Sequence, residues 1–240
     1  MRYSQDHKAQ TRARIVSRAA TSLRRHGSHG LGIAELMKQA GLTHGGFYAH
    51  FKSREALVAE ATIFAMDGIS EKWRKRAAAA PAGKRVDAIV NGYLTEQHRD
   101  DVGNGCVLPA LGAEIARADA RTRKAFAQRL EDMIALVVEA AGERPTAAAR
   151  RRAMGTIGAM MGTLLLARAT CARLSEDLLL AGRAAALGAS GGAMRKPGSA
   201  KAARKASNKA SNKASKKATN NAPRTARTAA PSRTRRPRKA

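Results

Sequence analysis

The last fifty residues of the chain cannot build a folded core, and this limits where a fold can lie. Residues 191–240 contain no Leu, Ile, Val, Phe, Tyr or Trp, so nothing there offsets the entropy that is lost when a chain becomes ordered. The same segment holds 16 Lys or Arg and no acidic residue. We therefore predict a disordered polycationic tail over residues 190–240.

The charge of the whole chain points to a polyanionic partner. Its 45 Lys and Arg against 18 Asp and Glu give a formal net charge of +27. Such a charge favours nucleic acid first and an anionic membrane surface second. The polar N-terminus has no apolar signal-peptide core, and the longest uncharged stretch, residues 153–167, is shorter than the ~20 residues that span a bilayer. We expect an intracellular protein without a membrane partner.

Apolar residues recur at helical spacing in the part of the chain that precedes the tail. The first such segment has an apolar face formed by Ile15, Val16, Ala19, Ala20 and Leu23. Gly27 would end this helix. Further helices are predicted over residues 33–40, 43–51, 54–80, 84–98, 106–117, 120–141, 147–170 and 176–187. Because only 3% of the residues are aromatic and no convincing strand is visible, the sequence predicts an all-α fold.

Residues 33–51 combine two short helices with a turn that contains Gly41, which is the arrangement of a helix-turn-helix. Three of the eight aromatic residues of the chain, Phe47, Tyr48 and Phe51, lie here within five positions. Phe47 and Phe51 are four residues apart and would share one helix face that packs on the first helix. That leaves the Tyr48 hydroxyl free to bind a phosphate. Ser53 is placed to cap the next helix.

These residues make the sequence resemble the TetR family of bacterial transcriptional regulators. The resemblance is carried by Thr11-Arg-Ala-Arg-Ile15, by residues 33–41, and by Phe47-Tyr48-x-His50-Phe51-Lys52-Ser53-Arg54-Glu55-Ala56-Leu57. It implies an N-terminal three-helix DNA-binding domain over residues 8–68, with the helix-turn-helix at about 32–51. It also implies a larger helical ligand-binding and dimerisation domain over residues 69–189.

The resemblance further implies which residues contact DNA. In the family the third helix enters the major groove, and the positions that follow it hold phosphates. The implied base-facing residues are Thr43, His44, Gly45 and Gly46. The implied phosphate-facing residues are Tyr48, His50, Lys52 and Arg54. Since two glycines offer no side chain for reading bases, we expect specificity to depend more on His44, Thr43 and DNA shape.

The implied function is sequence-specific transcriptional regulation. The protein would be a homodimer that binds a palindromic operator in double-stranded DNA, and a repressor that is released by a small-molecule or thiol-reactive inducer of unknown identity. It would lie in the bacterial cytoplasm and associate with the nucleoid when bound to DNA. The residues leave one alternative open, an architectural nucleoid protein that compacts DNA through the tail. A membrane-surface protein would lack an apolar anchoring face.

Cys106 has two interpretations. The run Gly105-Cys106-x-Leu108-x-x-Leu111-x-x-Glu114 resembles a subset of TetR regulators, some of which sense electrophiles or oxidants through a cysteine. Cys106 is predicted to open a helix, where unpaired backbone N–H groups favour a thiolate. It is then either a redox or electrophile sensor, with Cys171 as a candidate resolving thiol, or a small buried apolar residue.

No enzyme signature or metal-ligand cluster fits the predicted helices. Residues 188–192 match Gly-x-Ser-x-Gly, but that motif needs a strand before the serine, and a helix is predicted there. His26 and His29 have no clustered Cys or carboxylate partner, which makes a zinc site improbable. We expect no enzymatic activity, no cofactor and no metal.

The predicted helix over residues 147–170 contains glycines and methionines that indicate close packing with other helices. The spacing of Gly155, Gly158 and Gly162 favours close helix packing in a dimer interface over a membrane dimer, because the segment is too short to span a bilayer. The methionines of the same helix either fill the core or line an adaptable pocket. They are Met154, Met160 and Met161.

Overall fold

The structure, a computed structural model, describes residues 5–191, which form nine α-helices and two short 3-10 helices without a strand. The α-helices are α1 (Gln5–His26), α2 (Ile33–Gln39), α3 (Arg54–Ala79), α4 (Arg85–Tyr93), α5 (Glu96–Asp100), α6 (Leu108–Ala116), α7 (Ala120–Ala140), α8 (Ala147–Ala169) and α9 (Ala172–Gly191). The 3-10 helices are His44–Ala49 and Val102–Asn104. The all-α prediction is confirmed. Apart from residues 190 and 191, which end α9, the predicted tail lies outside the described residues.

The first helix buries the face that its apolar spacing predicts. The buried residues are Ile15, Val16, Ala19, Ala20 and Leu23. α3 packs against α1 and contributes the buried Leu57 and Ala61 to the same core. Gly27 ends α1 with a φ of 70°, in the left-handed region that glycine adopts at little cost.

Side-chain caps fix the starts of three long helices. Ser53, Asp119 and Thr146 precede α3, α7 and α8, and each accepts the backbone N–H three positions further on. The cap expected at Ser53 is therefore confirmed. None of the described helices has both the length and the apolar character that crossing a membrane would require.

α3 joins the N-terminal helices to the larger second domain. Its 26 residues, from Arg54 to Ala79, cover about 39 Å at the helical rise of 1.5 Å per residue. Leu57 lies in the core with α1, whereas Trp73, near the other end, packs edge-on against Tyr93 of α4 with ring centroids 5.8 Å apart. One uninterrupted helix thus packs against α1 near its start and against α4 near its end.

The helix predicted over residues 43–51 is replaced by the 3-10 helix His44–Ala49. Helix boundaries differ from the predictions in three further places. The predicted helix 84–98 is broken at Leu94, and Thr95 caps α5 by accepting the N–H of His98 at 3.1 Å. The predicted helix 106–117 begins only at Leu108, with Pro109 in the first turn, where no N–H is needed. Cys106 therefore precedes the helix and does not lie in its first turn. α9 extends beyond both ends of its predicted range, 176–187.

Candidate nucleic-acid interface

The element after α2 is a 3-10 helix, His44–Ala49, that presents an exposed surface. Thr43, His44 and Gly45 are exposed, and Gly46 is half-buried. Two adjacent glycines lower the α-helical propensity of this segment by ~1 kcal/mol each, which favours the shorter 3-10 geometry. Apart from its chain neighbours and the backbone of its own helix, no atom of the described residues lies within 4 Å of the position that a Cβ on Gly45 would take. The backbone is therefore open to close approach by a partner.

Two phenylalanines anchor this element. Phe47 and Phe51 are each 2% exposed, and their rings stack with centroids 5.5 Å apart. The Arg12 guanidinium lies 4.4 Å above the Phe51 ring and also pairs with Glu60 at 2.7 Å. Tyr48, by contrast, is 70% exposed. The spacing of the aromatic residues correctly predicted which of them are buried.

The other predicted phosphate-facing residues have different surroundings. Lys52 is exposed. His50 is half-buried, and burial, helped by Lys8 and Arg12, lowers the pKa of its imidazole, so the ring is neutral at neutral pH. Its Nδ1 has no hydrogen-bond partner among residues 5–191. The guanidinium of Arg54 donates a hydrogen bond to the backbone carbonyl of Ser28.

The loop between α1 and α2 is held by residues from elsewhere in the chain. The backbone N–H of Ser28 donates to Glu114 Oε2 at 2.9 Å, and its carbonyl accepts from the Arg54 guanidinium. Arg24 Nε donates to the carbonyl of Gly103 at 2.6 Å. Sequence reasoning missed these contacts because their partners lie 26 to 86 residues apart. In the sequence, Glu114 stood out only as the last residue of the run from Gly105 that resembles a subset of TetR regulators.

A crevice of about 320 Å³ lies beside this loop, between α3 and the α6–α7 region. Its apolar wall includes Val58, Leu111 and Ile115. Its polar wall includes Arg54, Glu114 and Arg117. This volume is at the lower end of the range of ~300–1,000 Å³ that small-molecule sites occupy. No sequence pattern predicted it.

Cys106 lies in a buried polar cluster and is itself 1% exposed. Its N–H donates to His98 Nε2 at 2.9 Å, while His98 Nδ1 lies 2.7 Å from the carbonyl oxygen of Tyr93. Burial raises the pKa of the Cys106 thiol, although a hydrogen bond with the Tyr93 hydroxyl opposes this. Burial also lowers the pKa of His98 to about 4. The thiol and the imidazole are therefore both neutral at neutral pH. Cys171, in contrast, is exposed.

α8 carries an exposed apolar stripe. Gly158 and Gly162 are exposed, and within the described part of the chain no atom lies within 4 Å of either Cβ position. Met154, Leu165 and Leu166 are exposed by 43%, 50% and 53%. The remaining residues of the predicted pattern have other surroundings. Gly155 is exposed but lies beside Ala189 of α9, Met160 is buried in the core, and Met161 contacts the thiol of Cys106.

Clusters of His, Cys, Asp and Glu bear on whether the described residues could bind a metal ion. Among residues 5–191 no three His, Cys, Asp or Glu side chains meet in a way that could hold a metal ion.

Comparison with known proteins identifies relatives of this fold. Residues 15–61 match the model of the family described as bacterial regulatory proteins, tetR family. No curated protein sequence matches the chain.

Solved structures resemble the chain over most of its length. A TetR transcriptional regulator from Chloroflexus aurantiacus J-10-FL is 24% identical, with a TM-score of 0.64 over 77% of this chain and 96% of that one. A TetR-family transcriptional regulator from Cytophaga hutchinsonii is 19% identical, with a TM-score of 0.63 over 75% and 95%. The reduced form of NemR from E. coli is 21% identical, with a TM-score of 0.60 over 72% and 95%. The shared fold is an N-terminal helix-turn-helix domain followed by a larger helical domain.

Proposed function

We propose that this protein is a DNA-binding transcriptional regulator of the TetR family, whose model matches residues 15–61, and that it acts as a repressor. It binds a palindromic operator in double-stranded DNA as a homodimer and leaves the operator when an inducer binds. The observation that carries the proposal is the exposure of Thr43, His44, Gly45 and Tyr48 on a segment that the buried rings of Phe47 and Phe51 hold in place. TetR-family regulators are generally not enzymes, and we expect no catalytic activity.

The 3-10 helix supplies the contacts to base edges. Thr43 and His44 read the major groove with their side chains, and Gly45 and Gly46 allow the backbone to approach the bases closely. His44 is the residue in this group with the longest polar side chain, so we assign it the largest part in direct base recognition. The exposure of Thr43, His44 and Gly45 supports this assignment.

Phosphate contacts position the domain on the duplex without reading its sequence. Tyr48 and Lys52 suit this role because both are exposed. His50 in its neutral form contributes a hydrogen bond and no charge. We assign Arg54 an indirect role, since its guanidinium holds the carbonyl of Ser28 and with it the loop that precedes the helix-turn-helix.

The exposed stripe of α8 supports homodimerisation. Gly158 and Gly162 leave space for the close approach of a helix, and Leu165 offers apolar area on the same stripe. Sedimentation of the Leu165→Glu variant tests this, because a buried unpaired carboxylate would separate the protomers. The matched control is Phe64→Glu, which changes a 46% exposed aromatic residue on α3. A dimeric Leu165→Glu protein would contradict the assignment.

The crevice between α3 and α6–α7 is our candidate inducer site. Two of its lining residues, Arg54 and Glu114, are the residues that hold Ser28. A ligand that takes over either contact would free the loop and change the position of the helix-turn-helix. A thiol-reactive inducer that modifies Cys106 is a second candidate. Its reaction would be slow, because the thiol is buried and protonated.

Selection of DNA tests the proposed function directly. The full chain is used to enrich sequences from a random duplex pool, and affinities for the enriched site and for random duplexes are then measured at one fixed salt concentration. We expect a palindromic site that is bound about 1,000-fold more tightly or better. A ratio near one would instead support an architectural protein that holds DNA through its basic residues.

A further inference from the structure

Two sulfur atoms are in contact in the buried cluster around Cys106, and an imidazole nitrogen is hydrogen-bonded to the backbone of the same residue. Cys106 Sγ lies 3.7 Å from Met161 Sδ, and His98 Nε2 lies 2.9 Å from the backbone nitrogen of Cys106. None of these donors takes part in the proposed DNA contacts. We propose that Cys106, Met161 and His98 form a binding site for one Cu(I) ion. The site does not depend on the protein being a repressor.

The distance between the sulfur atoms suits a shared metal ion. Metal–sulfur bonds in proteins are about 2.3 Å long, so two sulfurs on one three- or four-coordinate ion lie about 3.8 to 4.0 Å apart. The observed separation of Cys106 Sγ and Met161 Sδ is 3.7 Å. The Tyr93 hydroxyl lies 2.8 Å from Met161 Sδ and helps to hold the thioether in place. Little movement is needed to admit an ion.

The imidazole is oriented as a ligand would be. Neutral His98 carries its proton on Nδ1 and donates it to the Tyr93 carbonyl at 2.7 Å, which leaves the lone pair on Nε2. Metal-binding histidines commonly make this bond to a backbone carbonyl. In the metal-free chain, Nε2 accepts the N–H of Cys106. Metal binding would exchange that hydrogen bond for a bond to the ion.

Donor type and charge favour a soft monovalent ion. Thiolate and thioether sulfurs select Cu(I), whereas Zn²⁺ in structural sites takes four ligands. The Cys106 thiol releases its proton to solvent and binds Cu(I) as thiolate, so the pair formed is neutral. A divalent ion would leave a net positive charge in a cluster that already feels the cations of Arg24 and Arg168.

The structure also provides a route for the ion. A surface crevice of about 200 Å³ borders His98. It is lined by the oxygen-bearing side chains of Thr95, Asp101 and Asn104 and also by the cationic side chains of Lys72 and Arg76. His98 is half-buried, whereas Cys106 is fully buried. An ion in the crevice would therefore meet the imidazole first and the sulfurs behind it.

Sequence reasoning predicted no metal because the three donors are scattered. His98 and Cys106 are 8 residues apart, and Cys106 and Met161 are 55 apart. The thioether of Met161 is also a less common metal ligand than the side chains of His, Cys, Asp and Glu. Only the packing of α8 against the α5–α6 region brings these atoms together.

A competition titration tests the proposal. The full chain, reduced and kept under nitrogen, is added to Cu(I) held by bicinchoninate, whose absorbance falls as copper moves to the protein. We expect one Cu(I) per chain, with Cys106→Ala and Met161→Leu each weakening the apparent affinity at least tenfold. Met161→Leu preserves side-chain size, and circular dichroism confirms that each variant is folded. Cys171→Ser, which removes the exposed cysteine, should leave copper binding unchanged.

Several outcomes would overturn the site. They are the absence of copper transfer to the wild-type chain, full retention of copper by folded Cys106→Ala or Met161→Leu, and loss of copper in Cys171→Ser. X-ray absorption of the copper-loaded protein gives a second reading. Two sulfur neighbours and one nitrogen support the assignment, whereas a shell of nitrogen and oxygen alone contradicts it.

Discussion

Glu114 accepts the backbone N–H of Ser28 at 2.9 Å, across 86 residues of sequence. Glu114 belongs to α6 in the second domain, and Ser28 lies in the loop that leads into the helix-turn-helix. The carbonyl of the same Ser28 accepts from Arg54 at the start of α3. A single peptide segment is thus held by both domains, and its position depends on α6.

Removal of the hydrogen bond between Ser28 and Glu114 should destabilise the protein and weaken DNA binding. In Glu114→Ala the N–H of Ser28 loses its acceptor, and we expect the free energy of unfolding to fall by about 1–2 kcal/mol. Operator affinity should fall as well, because the loop before α2 is no longer fixed. Urea denaturation and fluorescence anisotropy measure the two effects. Glu131→Ala is the control, since it removes the same charge from a surface pair with Arg150. Equal behaviour of the two variants would argue against a special role for Glu114.

Base-reading and phosphate-binding residues should differ in their effect on specificity. Tyr48→Phe is expected to weaken binding to operator and to random DNA by the same factor, because a phosphate contact carries no sequence information. His44→Ala should instead lower the ratio of the two affinities, by ~1–3 kcal/mol of discrimination. Both ratios come from competition binding at fixed salt. The opposite pattern would mean that the domain docks on DNA in another orientation.

Two neighbouring basic residues should respond differently to removal. Lys52 is exposed, so Lys52→Ala should make the dependence of log K on log salt shallower by ~0.9, the effect of one lost phosphate contact. Arg54 binds the Ser28 carbonyl, so Arg54→Ala should leave that slope nearly unchanged and lower the free energy of unfolding by ~1–3 kcal/mol. Titrations at several salt concentrations and urea denaturation separate the effects. A large change of slope in Arg54→Ala would place this residue on the phosphates.

Gly27 combines a conformational and a steric requirement. Its φ is +70°, and a Cβ would lie 2.7 Å from Glu114 Oε1. Gly83 has a similar φ of +81°, but within the described residues nothing lies within 4 Å of its Cβ position. Gly83→Ala should therefore cost about 1 kcal/mol for the backbone alone. Gly27→Ala should cost more, because it also displaces Glu114. Thermal unfolding of both variants checks this order, and equal losses would show that the contact with Glu114 is unimportant.

The two cysteines should differ in reactivity. Cys171 is exposed, whereas burial raises the pKa of the Cys106 thiol. At neutral pH we expect iodoacetamide to label Cys171 at least about tenfold faster than Cys106, because the thiolate is the reacting form. Mass spectrometry of the peptides over time gives the rates, and the chain in urea, where both should react alike, is the control. Comparable rates in the folded protein would support a freely accessible sensor thiol at Cys106.

The sequence predicted those features that depend on residues close together in the chain. The four-residue spacing of Phe47 and Phe51 identified their buried face, and Ser53 marked the start of α3. It failed where the chain meets a distant part of itself. The contact of Ser28 with Glu114 and the cluster around Cys106 each depend on tertiary packing, which no local period encodes. The assigned DNA contacts remain predictions.

The unbroken length of α3 has a consequence for how an operator is recognised. Over about 39 Å, a tilt of only about 5° at the Ala79 end moves the Arg54 end sideways by about 3.4 Å. That displacement equals the rise between successive base pairs. If the protein binds an operator as proposed, a change in packing at one end of α3, small enough to leave every helix intact, would displace the other end by the distance between neighbouring base pairs.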